Sequence, residues 1–149
     1  MLLKDEVELL RRVPLFAGVA PAKLKLLAFT SDRVRYKANQ SLFHQGDIAD
    51  AAYVILSGNA DILVDTPGGS IKIAEAQHDS IVGEIGILCD VSRTATVTAS
   101  TTLEALRISK EHFLKLLTDY PEMTIEIMRV LASRLSQTTA ELTQERSRH

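Results

Sequence analysis

The spacing of apolar and charged residues divides the chain into a helical block, a strand-rich block and a second helical block. In the first block, Leu3, Val7 and Leu10 recur at helical spacing with charged residues between them. Pro14 ends this helix, because the residue before a proline is driven out of the α region. Pro21 suits the first position of a second helix, where its missing N–H costs nothing. The first block is therefore predicted to consist of N-terminal helices.

From about Val34 to Ile108 the pattern changes to short apolar runs separated by turn residues. Between Thr66 and Ser70, Pro67 and two glycines indicate a hairpin turn. The predicted strands are the runs Tyr53–Leu56, Ala60–Val64, Ile71–Ala74, Thr94–Ala99 and Leu103–Ile108. Strands this short and this closely spaced are typical of an antiparallel roll or barrel, not of a parallel α/β sheet.

Helix signals return at Ser109, which suits the cap of a short helix through Leu117. Pro121 opens a longer helix that is predicted to last to about Gln144. Along this helix, residues in steps of three and four form a heptad seam, which favours contact with a second copy of the chain. The predicted seam is Met128, Leu131, Leu135, Thr138 and Leu142.

Composition fits a single globular domain over residues 1–149, with 46% hydrophobic and 24% charged residues. It divides into helices at 1–30, a β-roll at 31–108 that carries a possible ligand segment at 83–96, and helices at 109–145. The net charge of −2 does not favour binding to nucleic acid or to a membrane surface. No apolar run is long enough for a signal peptide or a membrane helix, so a cytoplasmic location is expected.

The segment 83–96 carries the most distinctive chemistry. Alternation along the predicted strand places Thr94 on one face and Ala95 on the other, and it turns Arg93 inward with the alanine. An inward guanidinium needs an anion, because an unpaired buried charge is very costly. Either Glu84 or a bound phosphate would supply one, since backbone amides beside an arginine make a natural phosphate site.

This segment resembles the phosphate-binding cassette of the cyclic nucleotide-binding domain family. Three further segments, Val13–Phe16, Phe43–Asp47 and Tyr53–Gly58, resemble the N-terminal motif, the first tight turn and the central strand of that family. The resemblance implies a mainly β fold: an antiparallel β-roll (a double-stranded β-helix, jelly-roll-like) flanked by N-terminal helices and a long C-terminal helix. It also implies a non-catalytic sensor for a purine 3′,5′-cyclic nucleotide, signalling by repositioning of that helix.

The resemblance assigns roles to several residues of the cassette. Glu84 is expected to hold the ribose 2′-hydroxyl and Arg93 the cyclic phosphate. The backbone amides of Gly83, Ile85 and Ala95 are expected to make lesser contacts. Thr94 is either an outward strand residue or a contact to the phosphate or to a guanine base, which leaves cyclic GMP open as the ligand.

The long helix is expected to bear on the choice of base. Thr138 and Thr139 fall where catabolite activator proteins of the family hold the adenine amino group, with one hydroxyl from each subunit. This implies cyclic AMP over cyclic GMP and a homodimer through the C-terminal helix. The chain stops where such transcription factors continue into a DNA-binding domain, so no direct nucleic-acid contact is expected, and the effector protein or domain is unknown.

Two other functions remain as alternatives. One is a ligand-free dimerisation domain of the same fold, and the other is a cupin-like metal enzyme on a similar roll. The four histidines do not have the spacing of a metal site and no catalytic group stands out, so neither a metal nor a cofactor is expected. These histidines are His44, His78, His112 and His149. The single cysteine, Cys89, is expected to be a small buried filler of the cassette.

Overall fold

The computed structural model describes residues 3–147, with the side chains of residues 3–6 and of several positions in the last helix outside the described part. The helices are α1 (Leu3–Arg11), a short 3-10 helix (Pro14–Phe16), α2 (Pro21–Thr30), α3 (Glu84–Leu88), α4 (Lys110–Asp119) and α5 (Pro121–Ser147). The strands are β1 (Asp32–Tyr36), β2 (Ser41–Phe43), β3 (Ala51–Ser57), β4 (Ala60–Thr66), β5 (Gly69–Ala76), β6 (Ile81–Val82), β7 (Thr96–Ala99) and β8 (Leu103–Ser109).

The strands form two four-stranded sheets, ordered β1-β8-β3-β6 and β2-β7-β4-β5. Every strand pair is antiparallel. The hairpin between β4 and β5 closes where Thr66 pairs with Gly69, as the turn residues predict. The fold is therefore mainly antiparallel β with flanking helices, and the predicted β-roll is confirmed.

Strand β3 separates two hydrophobic clusters, because six of its seven residues are buried. Its side chains alternate between the clusters, as period-two geometry requires. Ala51, Tyr53 and Ile55 point into the interior of the roll, whereas Ala52, Val54 and Leu56 pack against the helices. Strand β8 is shared in the same way, with Leu103 and Ala105 in the roll and Leu106 and Ile108 in the helical cluster.

The helix boundaries follow the local sequence signals. Pro14 opens the 3-10 helix directly after α1, and Pro21 is the first residue of α2. Ser109 caps α4, because its side chain accepts a hydrogen bond from the amide of His112 at 3.3 Å. The predicted cap and both proline positions are confirmed.

The outward stripe of α5 differs from the predicted seam. Met128 and Leu135 are 62% and 68% exposed, but Leu131 is half-buried and packs against the helical cluster together with Met123 and Ile127. The prediction was wrong for Leu131, because residues at four-residue spacing from Met123 face the domain.

Three short strands, β1, β2 and β6, were not among the predicted runs. β1 carries three charged residues in five, and the other two have only three and two residues, so apolar alternation does not reveal them. β7 starts at Thr96 and not at Thr94, because the backbone of Arg93 bonds to another loop: its amide donates to Asp47 at 2.8 Å and its carbonyl accepts from Gly46 at 2.9 Å.

Candidate phosphate-binding site

The cassette begins at Gly83, whose backbone adopts the left-handed helical conformation. Gly83 has φ +83° and ψ 5°, and it forms the N-cap of α3, which starts at Glu84. A β-carbon at Gly83 would lie 2.6 Å from Nη1 of Arg93 and 3.1 Å from Cε2 of Phe43. The glycine therefore allows the left-handed turn and also allows the guanidinium to approach the backbone.

Arg93 is only 3% exposed, and four contacts hold its guanidinium group. Nη1 donates to the carbonyl of Gly83 at 2.8 Å, and Nη2 donates to the carbonyl of Ala51 at 2.7 Å. The guanidinium carbon lies 4.0 Å from the ring centroid of Phe43, and Nη2 lies 3.5 Å from Oδ1 of Asp50. These contacts fix the planar group before any ligand arrives.

The charge of Arg93 is only weakly compensated by the protein. Burial lowers the pKa of its guanidinium, against the opposing effects of Tyr53, Asp50 and Asp47. Arginine remains protonated at any physiological pH, so the positive charge stays in place. Its Nε is buried and has no hydrogen-bond partner among the described residues. A fixed cation with a remaining donor is chemically suited to an oxyanion.

A second arginine shares the carboxylate of Asp50. Nη2 of Arg107 donates to Oδ2 of Asp50 at 3.0 Å, which is shorter than the 3.5 Å between Asp50 and Arg93. Nη1 of Arg107 lies 3.9 Å from Asp32 on β1. One carboxylate thus stands between two guanidinium groups, and its contact with Arg107 is the closer one.

Two tyrosines extend this polar group into the roll. Tyr53 lies close enough to Tyr36 and to Arg107 to influence the pKa of each. Burial, with the nearby Tyr53, raises the pKa of Tyr36 to about 12. Tyr36 therefore remains a neutral hydroxyl at physiological pH.

Glu84, the second residue of the cassette, faces a cleft that it shares with the last helix. It is 5% exposed, and it lines a cleft of about 150 Å³ together with residues of the 3-10 helix, the turn before β6, and α5. From α5 the lining residues are Glu126, Ile127 and Leu131. The start of the cassette and α5 therefore line the same cleft.

Comparison with known proteins identifies the family. The family model described as Cyclic nucleotide-binding domain matches residues 33–120, which include the cassette. The chain belongs to the cyclic nucleotide-binding domain family.

Relatives of this cyclic nucleotide-binding domain come from several kinds of protein. An uncharacterized NTE family protein from Mycobacterium bovis is 34% identical over 139 residues, covering 93% of this chain and 23% of that protein. A CRP-like cAMP-activated global transcriptional regulator from Mycobacterium tuberculosis is 29% identical, covering 91% of this chain and 61% of that protein. The sensor domain of the transcriptional regulator DNR from Pseudomonas aeruginosa superposes with a TM-score of 0.80 at 26% identity, covering 93% of this chain and 94% of that one.

The domain spans only part of its curated relatives. It covers less than two thirds of the two described above and as little as 8% of another. The same kind of domain thus occurs within much longer proteins.

The other cassette positions differ in exposure. Ile85 and Ala95 are half-buried, and Thr94 is exposed, in keeping with an outward side chain. The structure brings Gly83 and Arg93 into contact. Cys89 is exposed, so its expected place as a buried filler was wrong: it follows the end of α3, where the chain turns outward before Arg93.

The two threonines of α5 lie far along that helix. Thr139 is exposed, and its carbonyl accepts a hydrogen bond from Thr143 at 2.9 Å. The side chain of Thr138 lies outside the described part of the structure. Their expected contact with the base remains a prediction.

Sequence reasoning missed two residues that position Arg93. Phe43 supplies the ring under the guanidinium and Asp50 supplies its nearest carboxylate. Phe43 belongs to a segment noted for its resemblance to the family, but nothing in the sequence pairs it with Arg93. Asp50 follows an exposed loop and has no distinguishing pattern.

Two further features concern metal binding and membrane insertion. Among the side chains that the structure describes, no three from His, Cys, Asp or Glu gather closely enough to hold a metal ion. None of the helices described is both long and apolar enough to cross a bilayer.

Proposed function

We propose that this domain is a non-catalytic sensor that binds cyclic AMP, with the cyclic phosphate on Arg93. The observation that carries the proposal is the buried guanidinium of Arg93, which is fixed by two carbonyls and a ring and keeps an unpartnered Nε. Membership in the cyclic nucleotide-binding family gives the anion its chemical class. Because the M. tuberculosis relative is described as cAMP-activated, we propose cyclic AMP and not cyclic GMP as the ligand of this domain.

A calorimetric titration of the purified chain with cyclic AMP, cyclic GMP and cyclic di-GMP tests this proposal. Arg93→Lys keeps the charge but loses the planar fork, so affinity for cyclic AMP should fall at least about tenfold. Arg35→Lys makes the same replacement at an exposed position and should leave affinity unchanged. Unchanged affinity in Arg93→Lys would mean that the phosphate binds elsewhere.

The ribose is assigned to Glu84. Glu84 directly follows Gly83, whose carbonyl accepts from Arg93, and a carboxylate at this position in the chain would suit a sugar hydroxyl that adjoins the phosphate. A 2′-deoxy cyclic nucleotide should therefore bind the wild-type chain much more weakly than the ribonucleotide. In Glu84→Gln this difference should shrink. Equal binding of the two nucleotides to the wild type would remove the ribose assignment.

The base and the signal are assigned to α5. Because Glu84 and α5 line the same cleft, a nucleotide that moves the cassette also changes what α5 packs against. Thr139 follows Leu135 by four residues, which places it on the outward stripe with Met128. Met128 and Leu135 on that stripe are exposed and apolar, which supports a homodimer through α5 in which the Thr138–Thr139 pair supplies one hydroxyl from each subunit to the adenine amino group.

Joint replacement of Thr138 and Thr139 by alanine tests the base assignment. Cyclic AMP binding should weaken by about 1–2 kcal/mol while cyclic GMP binding barely changes, because only the adenine amino group loses its partners. Analytical ultracentrifugation of the same samples reports the dimer. An unchanged preference for cyclic AMP would show that α5 does not read the base.

A ligand-free dimerisation domain is the second candidate. It is favoured by one observation: the carbonyls of Gly83 and Ala51 already give Arg93 a structural role. This second candidate predicts no heat of binding in the titration with any of the three nucleotides, and it predicts a stable dimer. In either case we place the chain in the cytoplasm, acting through an effector protein or domain without direct contact to nucleic acid or membrane.

A further inference from the structure

Asp50 stands between the phosphate-binding arginine and a second arginine. Its Oδ1 lies 3.5 Å from Nη2 of Arg93, and its Oδ2 accepts from Nη2 of Arg107 at 3.0 Å. The side chain of Asp50 is 61% exposed, whereas that of Arg93 is 2% exposed. The carboxylate is therefore free to turn toward either guanidinium.

Arg107 is itself held in place. It projects from β8 beside Tyr53, and its Nη1 lies 3.9 Å from Oδ2 of Asp32. Burial lowers the pKa of Arg107, but the nearby Tyr53 and the charges of Asp50 and Asp32 outweigh this effect, so the pKa is raised. Its guanidinium is thus a permanent cation facing the carboxylate of Asp50.

The anion affinity of Arg93 depends on how strongly Asp50 neutralises it. A carboxylate that pairs fully with Arg93 would compete with an incoming phosphate for the same donors. We propose that Arg107 holds Asp50 away from Arg93 and so sets the affinity of the phosphate site. Arg107 is a positioning residue in this scheme: it acts through Asp50 and does not touch the nucleotide. The inference rests on the proposed function, because the phosphate is that of the cyclic nucleotide.

The scheme predicts a pattern of affinities. Arg107→Gln lets Asp50 pair with Arg93, so affinity for cyclic AMP should fall about three- to tenfold. Asp50→Asn removes the competing charge and should raise affinity by a similar factor. Arg93 keeps its position in that variant, because two carbonyls and the ring of Phe43 still hold it.

The decisive comparison is the effect of Arg107→Gln in the Asp50→Asn background. If Arg107 acts through Asp50, the loss there should be less than about twofold. If it instead contacts the nucleotide, the loss should be as large as in the wild type, which would overturn the inference. Arg35→Gln removes the same charge from an exposed position on β1 and should change affinity by less than about twofold.

A measurement without nucleotide separates this inference from the proposed function. The Nε–H signal of Arg93, identified by its loss in Arg93→Lys, is observed by NMR in each variant. It should shift in Arg107→Gln, return toward the wild-type position when Asp50→Asn is added, and stay in place in Arg35→Gln. A signal that does not move in Arg107→Gln would overturn the inference even if cyclic AMP binds. Absence of binding in the wild type would refute only the proposed function.

Discussion

Replacing Gly83 by alanine should disturb the phosphate site directly, because the added methyl group meets Arg93. The new β-carbon would lie 2.6 Å from Nη1 of Arg93, 3.1 Å from Cε2 of Phe43 and 3.3 Å from the carbonyl of Ala51. None of these atoms can move away easily, because the guanidinium of Arg93 is hydrogen-bonded to the carbonyl of Gly83 and stacks on the ring of Phe43. Either the turn or the guanidinium must move.

The energy of this change has three parts. A non-glycine residue at φ +83° costs roughly 1–2 kcal/mol, and the smaller entropy of the unfolded alanine chain returns about 0.4–1 kcal/mol. Overpacking against Arg93 adds about 1–3 kcal/mol. Together these parts lower the free energy of unfolding by about 1–5 kcal/mol.

Gly46→Ala is the matched control. Gly46 has φ +91° in the loop that bonds to the backbone of Arg93, but nothing lies within 4 Å of its added β-carbon. The free energy of unfolding of Gly46→Ala should therefore fall by only about 1 kcal/mol, because the variant adds backbone strain alone. Urea unfolding gives both values, and titration with cyclic AMP should show a loss of affinity for Gly83→Ala only. Equal destabilisation of the two variants would refute the close packing of Gly83 on Arg93.

Three further predictions follow from individual contacts. The hydrogen bond from Arg33 lowers the pKa of Glu104, so the pair stabilises the fold above about pH 4.5 and loses its contribution as the pH falls through the lowered pKa. Urea unfolding at a series of pH values should therefore show a loss of about 1 kcal/mol or less in acid, and the Arg33→Gln variant should not show this loss. Ser109→Ala should cost about 1 kcal/mol in thermal unfolding, because α4 loses its cap. Phe43→Leu keeps an apolar side chain but removes the ring under Arg93, so calorimetry should show about three- to tenfold weaker cyclic AMP binding, and equal affinity would argue against a role for the ring.

Much of the fold was predictable because its signals are local. Pro21 and Ser109 mark helix starts through the chemistry of a single residue, and the hairpin before Gly69 follows from its turn residues. β1 and β2 were missed because their pairing with β8 and β7 is long-range and leaves little alternation in the strands themselves. Only the tertiary packing of α5 shows which of its apolar residues face the domain.

The site was predictable in part for the same reason. The inward direction of Arg93 was predicted from strand alternation, but Arg93 lies before the strand, and its backbone hydrogen-bonds to a loop. Asp50 and Arg107 are separated by 57 residues, so no sequence spacing places them together. Contacts of this kind depend on register between strands, which the pattern of one strand does not specify.

The position of β3 between two clusters has a consequence for cooperativity. Because Ala51 and Ala52 belong to different clusters, neither the roll nor the helical layer can lose its packing without exposing one side of the same strand. The two clusters should therefore open together, and the amides of β3 should exchange with solvent only when the whole domain unfolds. Arg93 donates to the carbonyl of Ala51 at the start of this strand, so a ligand bound there would protect both halves of the molecule as one unit.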